Sequence, residues 1–166
     1  MPKTEVSRIS SGEKLSDLSI DFAQSLLKKQ FPGVNGLQST LLQYKPKANV
    51  PPKNQLQVIH SRGDHWIVAS TVGCTGDEVL VCDSLYGTLD TSTVNVISNL
   101  FHSSSVKMLD YQKQEGGKDC GVFAIAYATA IGHGVDPASI KLNQAAMRSH
   151  LIKCFEEENL YLFPST

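Results

Sequence analysis

The chain has 166 residues, of which 41% are hydrophobic and 19% charged, with 15 lysines and arginines against 16 aspartates and glutamates. This is the composition of a folded domain with its own core, which argues against disorder and against the basic footprint of a nucleic-acid binder. No apolar run nears the roughly 20 residues that cross a bilayer.

Residues 1–13 are polar, lack the apolar stretch of a secretory leader and read as a flexible N-terminal arm; residues 14–166 read as a single domain. Ser16 or Asp17 can cap a helix in which Leu18, Phe22 and Leu26 recur at helical spacing after Leu15, with Leu27 beside them, until Phe31-Pro32-Gly33 ends it. The proline pair within Ala48–Lys53 marks a loop. From Leu56 the period changes. Leu56–His60 is a strand, Ser61–Asp64 a turn and His65–Ser70 the return strand. Cys74–Asp77 turns again and Glu78–Asp83 runs back, so an antiparallel meander is expected. Thr91–Phe101 is a helix with Val94, Ile97, Leu100 and Phe101 on one side, and Val106–Tyr111 a further strand. A glycine loop, Glu115–Lys118, leads into an apolar helix from Asp119 to Ile131 that stops at Gly132 and Gly134. The last helix runs from Asn143 to Glu158 with Ala146, Leu151, Ile152 and Phe155 inward. Helix, meander, then helices predicts an α+β layered fold with an N-terminal helix, an antiparallel sheet and a buried helix.

The four cysteines, Cys74, Cys82, Cys120 and Cys154, form no C-x-x-C pair, so neither a zinc ribbon nor another metal site is expected. They read as free thiols of a reducing, intracellular compartment, cytoplasmic or nuclear. Cys120 stands apart. It falls at the first turn of the apolar helix, directly after the glycine loop, where outward N–H groups and the helix dipole favour a thiolate. Gly116 and Gly117 allow close backbone approach, and Gly121 is expected to leave room beside the sulfur. Asp119 reads as a capping residue.

A nucleophilic cysteine needs a histidine to carry its proton, and the histidine needs an orienting acceptor. His65 opens one strand and Asp83 closes the next, which brings them side by side in an antiparallel pair. His60 flanks the same turn and is a rival base. Gln114, six positions before Cys120, can donate its amide to an oxyanion. Gln112 points to the same face of the segment, and residue spacing alone leaves the two glutamines open.

His65-Trp66, then Asp83, then Gln114-x5-Cys120-Gly121 in this order resembles the Ulp/SENP family of ubiquitin-like-protein proteases, of peptidase clan CE. Leu15-Ser16-Asp17 and the following helix resemble that family's first conserved stretch, and the resemblance spans roughly residues 14–160. It implies a papain-like cysteine protease fold with permuted order, in a compact member. It implies hydrolysis after the C-terminal Gly-Gly of ubiquitin, SUMO or NEDD8, with Cys120 as nucleophile, His65 as base and acid, Asp83 as orienter and Gln114, rather than Gln112, as oxyanion donor. Trp66 would roof a passage admitting only glycines, and Asp17 and Gly117 would join it in binding substrate. Lys14 stands where the family often carries a second tryptophan, and the segment from Asp83 to Gln114 is short. No cofactor, nucleic acid or membrane partner is expected, and the chain is expected to act as a monomer. Two alternatives use the same residues: an acyltransferase of the same clan, for which no basic cluster suited to coenzyme A is apparent, and an inactive module that binds a modifier.

Overall fold

The computed structural model describes residues 1–45, 50–103, 105–108 and 110–166. Part of the loop expected over Ala48–Lys53, and Leu109 of the expected last strand, lie outside the described residues.

Five strands among the described residues form one sheet in sequence order: β1 (Asn35–Gly36), β2 (Gln55–Ser61), β3 (His65–Ser70), β4 (Val79–Cys82) and β5 (Val106–Met108). The helices are α1 (Lys3–Ser10), α2 (Asp17–Gln30), α3 (Thr91–Phe101), α4 (Cys120–Gly132) and α5 (Gln144–Glu157). The expected meander is present as the antiparallel β2–β3–β4. The expected antiparallel sheet is mixed at its two edges, where β1 pairs β2 and β4 pairs β5 in parallel. At the β5 edge the cause is α3. A helix between β4 and β5 carries the chain back across the sheet, so the next strand starts from the same end.

Strand alternation puts apolar side chains on both faces of the sheet. Leu56, Val58, Trp66, Val68 and Cys82 pack with α2, α4 and α5. Ile59, Ile67, Ala69, Val79 and Val81 pack with Val96, Ile97, Leu100 and Phe101 of α3. A sheet covered on both faces explains why β3 reads as a nearly unbroken apolar run and is buried throughout. The resulting α+β arrangement has three layers.

Helix α4 is the centre of the fold. Every residue from Cys120 to Ala130 is buried. Its sequence is rich in alanine, a strong helix former, and apolar all round, which suits a helix enclosed on every side.

Three expectations are corrected. Residues 1–13 do not form an arm: α1 occupies 3–10, Ile9 is fully buried, and Glu5 accepts hydrogen bonds from Ser16 (2.6 Å) and Ser19 (2.9 Å). A helix docked through a single apolar residue and one carboxylate has no periodic signature. Leu18 is 58% exposed, because α2 turns Ile20, Ala23, Leu26 and Leu27 inward instead. In α5 the inward residues are Met147, Leu151, Cys154 and Phe155, while Ala146 and Ile152 are only partly covered.

Candidate active site

His65 is the first residue of β3 and Asp83 directly follows β4. Val68 pairs with Cys82, so continuing the register sets Asp83 opposite Ile67, on the same face as His65 and two positions from it. The two side chains meet there, with His65 Nε2 2.6 Å from Asp83 Oδ1, and each residue is only 2% exposed. Asp83 Oδ1 also accepts the main-chain N–H groups of Leu85 (2.8 Å) and Tyr86 (3.0 Å). This is an Asx turn, which the string Asp83-Ser84-Leu85-Tyr86-Gly87 carries as a local signal. Asp83 Oδ2 is buried with no hydrogen-bond partner among the described residues.

With Nε2 committed to Asp83, Nδ1 is the ring nitrogen left for the sulfur. The His65 ring and the Trp66 main-chain N–H both act on the Cys120 thiol and favour its ionised form. The antiparallel pair sets the histidine at the end of the sheet, where the first residue of α4 arrives.

The electrostatics favour an ion pair. Burial alone would lower the His65 pKa, but hydrogen bonds with Asp83 and Cys120 outweigh it and raise it to about 9. Burial alone would raise the Cys120 thiol, but the hydrogen bonds from His65 and the Trp66 N–H bring it below its ordinary value, with Lys14 contributing its charge. Burial likewise opposes ionisation of Asp83, and the His65, Tyr86 and Leu85 hydrogen bonds reverse that. Both shifts run in the direction of a thiolate–imidazolium pair.

Gln114 is buried and held at three points. Its main-chain N–H donates to Ser84 O (2.7 Å), Ser84 Oγ donates to its Oε1 (2.6 Å), and its Nε2 donates to Gly116 O (3.0 Å). A main-chain carbonyl can only accept, so the contact to Gly116 identifies the NH2 end of the amide and leaves its second hydrogen for another acceptor. Ser84 was not among the expected site residues. Its place directly after Asp83 is the only signal the sequence holds for it.

The rivals have other tasks. Gln112 ties two loops, donating to Leu142 O (3.0 Å) and accepting from Leu142 N (2.7 Å). His60 lines a surface groove and packs against Trp66 with the rings tilted at 51° and their centroids 4.6 Å apart, and burial holds its pKa below the ordinary value.

Two expected roles are corrected. Asp119 makes no side-chain cap on α4; its carboxylate takes Arg148 (2.6 Å) and Gln144 (2.7 Å) of α5 instead. A cation from another helix competes better for the charge than the local N–H groups. Gly121 does not open space beside the sulfur. A Cβ there would stand 2.9 Å from Leu15 Cβ, so the glycine is what admits Leu15. Leu15 matters in turn because its carbonyl accepts the Trp66 indole N–H (3.1 Å).

The residues expected to bind substrate are not gathered in one place. Trp66 and Asp17 line a groove of about 490 Å³ with Leu15, Leu41, Tyr44 and His60. Lys14 and Asp64 also line it, joined by an ion pair of 3.3 Å. Cys120 is not part of its lining. Gly117 lies apart, in the exposed loop before α4, where Gly116 takes a φ of +73° open to few residues but glycine. All four cysteines are free thiols, and burial raises Cys74, Cys82 and Cys154. Among the described residues no helix is long and apolar enough to cross a membrane.

No family model and no curated protein matches the sequence. Solved structures do match in fold. The C-terminal Ulp1 protease domain, determined in complex with the yeast orthologue of SUMO, is 13% identical, with a TM-score of 0.71 over 93% of this chain and 82% of that one. The SUMO protease Ulp1 with its catalytic cysteine oxidised to a sulfenic acid is 14% identical, with a TM-score of 0.69 over 95% and 84%. The Ulp1-like SUMO protease catalytic domain of Chaetomium thermophilum is 20% identical, with a TM-score of 0.55 over 89% and 74%. This chain has the fold of the Ulp1 protease domain.

Proposed function

We propose that the chain is a cysteine protease that cleaves the bond following the C-terminal Gly-Gly of a ubiquitin-like modifier. The observation that carries this reading is the buried His65–Asp83 hydrogen bond of 2.6 Å beside a thiol lowered below its ordinary pKa at the start of α4. A structural cysteine in an apolar core is pushed the other way, as Cys82 is, up to about 12.

In this reading the Cys120 thiolate attacks the carbonyl carbon of the terminal glycine. The oxyanion is held by the second hydrogen of Gln114 Nε2 and by N–H groups of the first turn of α4, which have no acceptor within the helix. The His65 imidazolium gives its proton from Nδ1 to the leaving amine, and the C–N bond breaks to leave a thioester. Water then attacks the thioester, His65 takes the water's proton, and the Cys120 thiolate is expelled with release of the modifier's carboxylate. Asp83 holds the Nε2–H throughout and keeps the ring in one orientation. The groove beside Trp66 takes the extended tail. The exposed Leu18 (58%), Leu41 (76%) and Tyr44 (71%) offer apolar surface to the modifier's globular body. The Lys14–Asp64 pair crosses the place where the resembled family often carries a second aromatic wall.

SUMO, ubiquitin and NEDD8 bearing a C-terminal electrophile, tested in parallel, are expected to label Cys120 covalently with at least one of the three. Intact mass reads the adduct and peptide mapping its position. No adduct with any of them, with thiol reactivity intact toward a small alkylating agent, would overturn the reading.

Gln114→Ala is expected to lower kcat by about 10²–10³ with KM nearly unchanged, because its free N–H acts on charge that develops only in the transition state. Steady-state kinetics on a fluorogenic modifier separates the two constants. An equal rise in KM would assign Gln114 to ground-state binding instead.

A further inference from the structure

Tyr86 carries no chemistry of its own, yet it is built onto the two residues that do. Its main-chain N–H donates to Asp83 Oδ1 (3.0 Å), and its ring stands 5.1 Å from the His65 ring at 90°. Arg62 lies over the tyrosine ring, its guanidinium carbon 4.1 Å from the centroid, while its Nη2 donates to Thr88 O (2.9 Å). Lys113 Nζ reaches the main-chain oxygens of Asp83 and Tyr86, each at 3.4 Å. Tyr86 is 37% exposed and neighbouring Leu85 38%, whereas His65 and Asp83 are each 2% exposed. The tyrosine is therefore a cover with one side toward solvent and one toward the imidazole.

We propose that Tyr86, pinned by Arg62, is a positioning residue that shields the His65–Asp83 hydrogen bond from water and fixes the plane of the imidazole. The imidazole must aim Nε2 at Asp83 and Nδ1 at Cys120 at once, so a rotation that serves one partner loses the other. A perpendicular aromatic contact is a favoured geometry and restrains that rotation. Excluding water also strengthens a charge-assisted bond that solvent would otherwise share. The titratable groups acting on the ring are Asp83, Cys120 and His60. Tyr86 adds no charge to these, and the charge of Arg62 sits over the tyrosine. The consequence for turnover rests on the protease reading; the shielding does not.

Proton NMR tests it on the free protein. The His65 Nε2–H, assigned by its loss in His65→Gln, is expected as a downfield resonance protected from exchange with water. Tyr86→Ala is expected to erase it through exchange, Tyr86→Phe to retain it, and Arg62→Ala, which frees the tyrosine ring, to broaden it. On a Gly-Gly-linked fluorogenic modifier, Tyr86→Ala is expected to lower kcat about tenfold at unchanged KM, and Tyr86→Phe to restore it. The inference is overturned if the resonance is missing from the wild-type protein, survives in Tyr86→Ala, or vanishes equally in Tyr86→Phe. If the resonance behaves as expected while no modifier is cleaved, the protease reading alone fails.

Discussion

Cys120→Ala is expected to reduce cleavage of a Gly-Gly-linked modifier to the uncatalysed background, a loss of about 10⁶ in kcat by analogy with deletion of a nucleophile in other covalent proteases. The size follows from the mechanism. Without the sulfur no thioester forms, and neither the His65 proton nor the Gln114 N–H has an intermediate to act on. Folding should be little affected: the change removes one buried atom next to the exposed Glu115–Lys118 loop, and the rest of α4 keeps its packing. The variant is also expected to bind the modifier still, because the groove beside Trp66 does not include the sulfur. Measured turnover within tenfold of the wild type would remove Cys120 from the chemistry, and the scheme with it.

Asp83→Asn should produce the second-largest effect, a fall in kcat of about 10⁴ at neutral pH. The carboxylate does one thing that an amide does not: its charge helps to raise His65 to about 9, whereas an amide oxygen can still accept the His65, Leu85 and Tyr86 donors that Oδ1 gathers. The sign of the pH effect follows. In the wild-type protein kcat/KM is expected to rise with pH as the thiolate–imidazolium pair forms, then to fall as the imidazolium loses its proton, with a midpoint near 9. Removing the Asp83 charge takes away a raising influence and leaves the lowering effect of burial, so the descending limb must move to lower pH. A full pH–rate profile of both proteins checks this. A limb that stays near 9 in Asp83→Asn would mean that something other than His65 titrates there.

These two variants bear on residues whose chemistry is legible along the chain. Cys120 is marked by its neighbours: a glycine loop before it and a continuous apolar helix after it. β3 begins at His65 and α3 spans Thr91–Phe101, as periodicity and turn residues predict. The pairing of His65 with Asp83 follows from antiparallel neighbours of known direction, and the register bears it out. Local rules work here because each signal lies within a few residues of the feature it specifies.

Other contacts have no such signal. Asp119 beside Cys120 looks like a helix cap until Arg148, 29 positions on, claims it. Gly121 looks like space for the sulfur until Leu15 fills that space from across the fold. Ser84, beyond its place next to Asp83, carries no mark as the partner of Gln114, because that contact depends on which element packs beside it.

By itself the sequence determined the chemical types present, the span of most helices and strands, and the order in which histidine, carboxylate and cysteine occur. Those properties depend on hydrophobic period, turn residues and side-chain chemistry, all of them local. Only the tertiary structure decided that α1 docks onto the core, that the sheet is parallel at both edges, and which neighbour each polar side chain holds. These depend on competition between partners far apart in the chain, in which burial removes water as the alternative and the nearest well-aimed group wins.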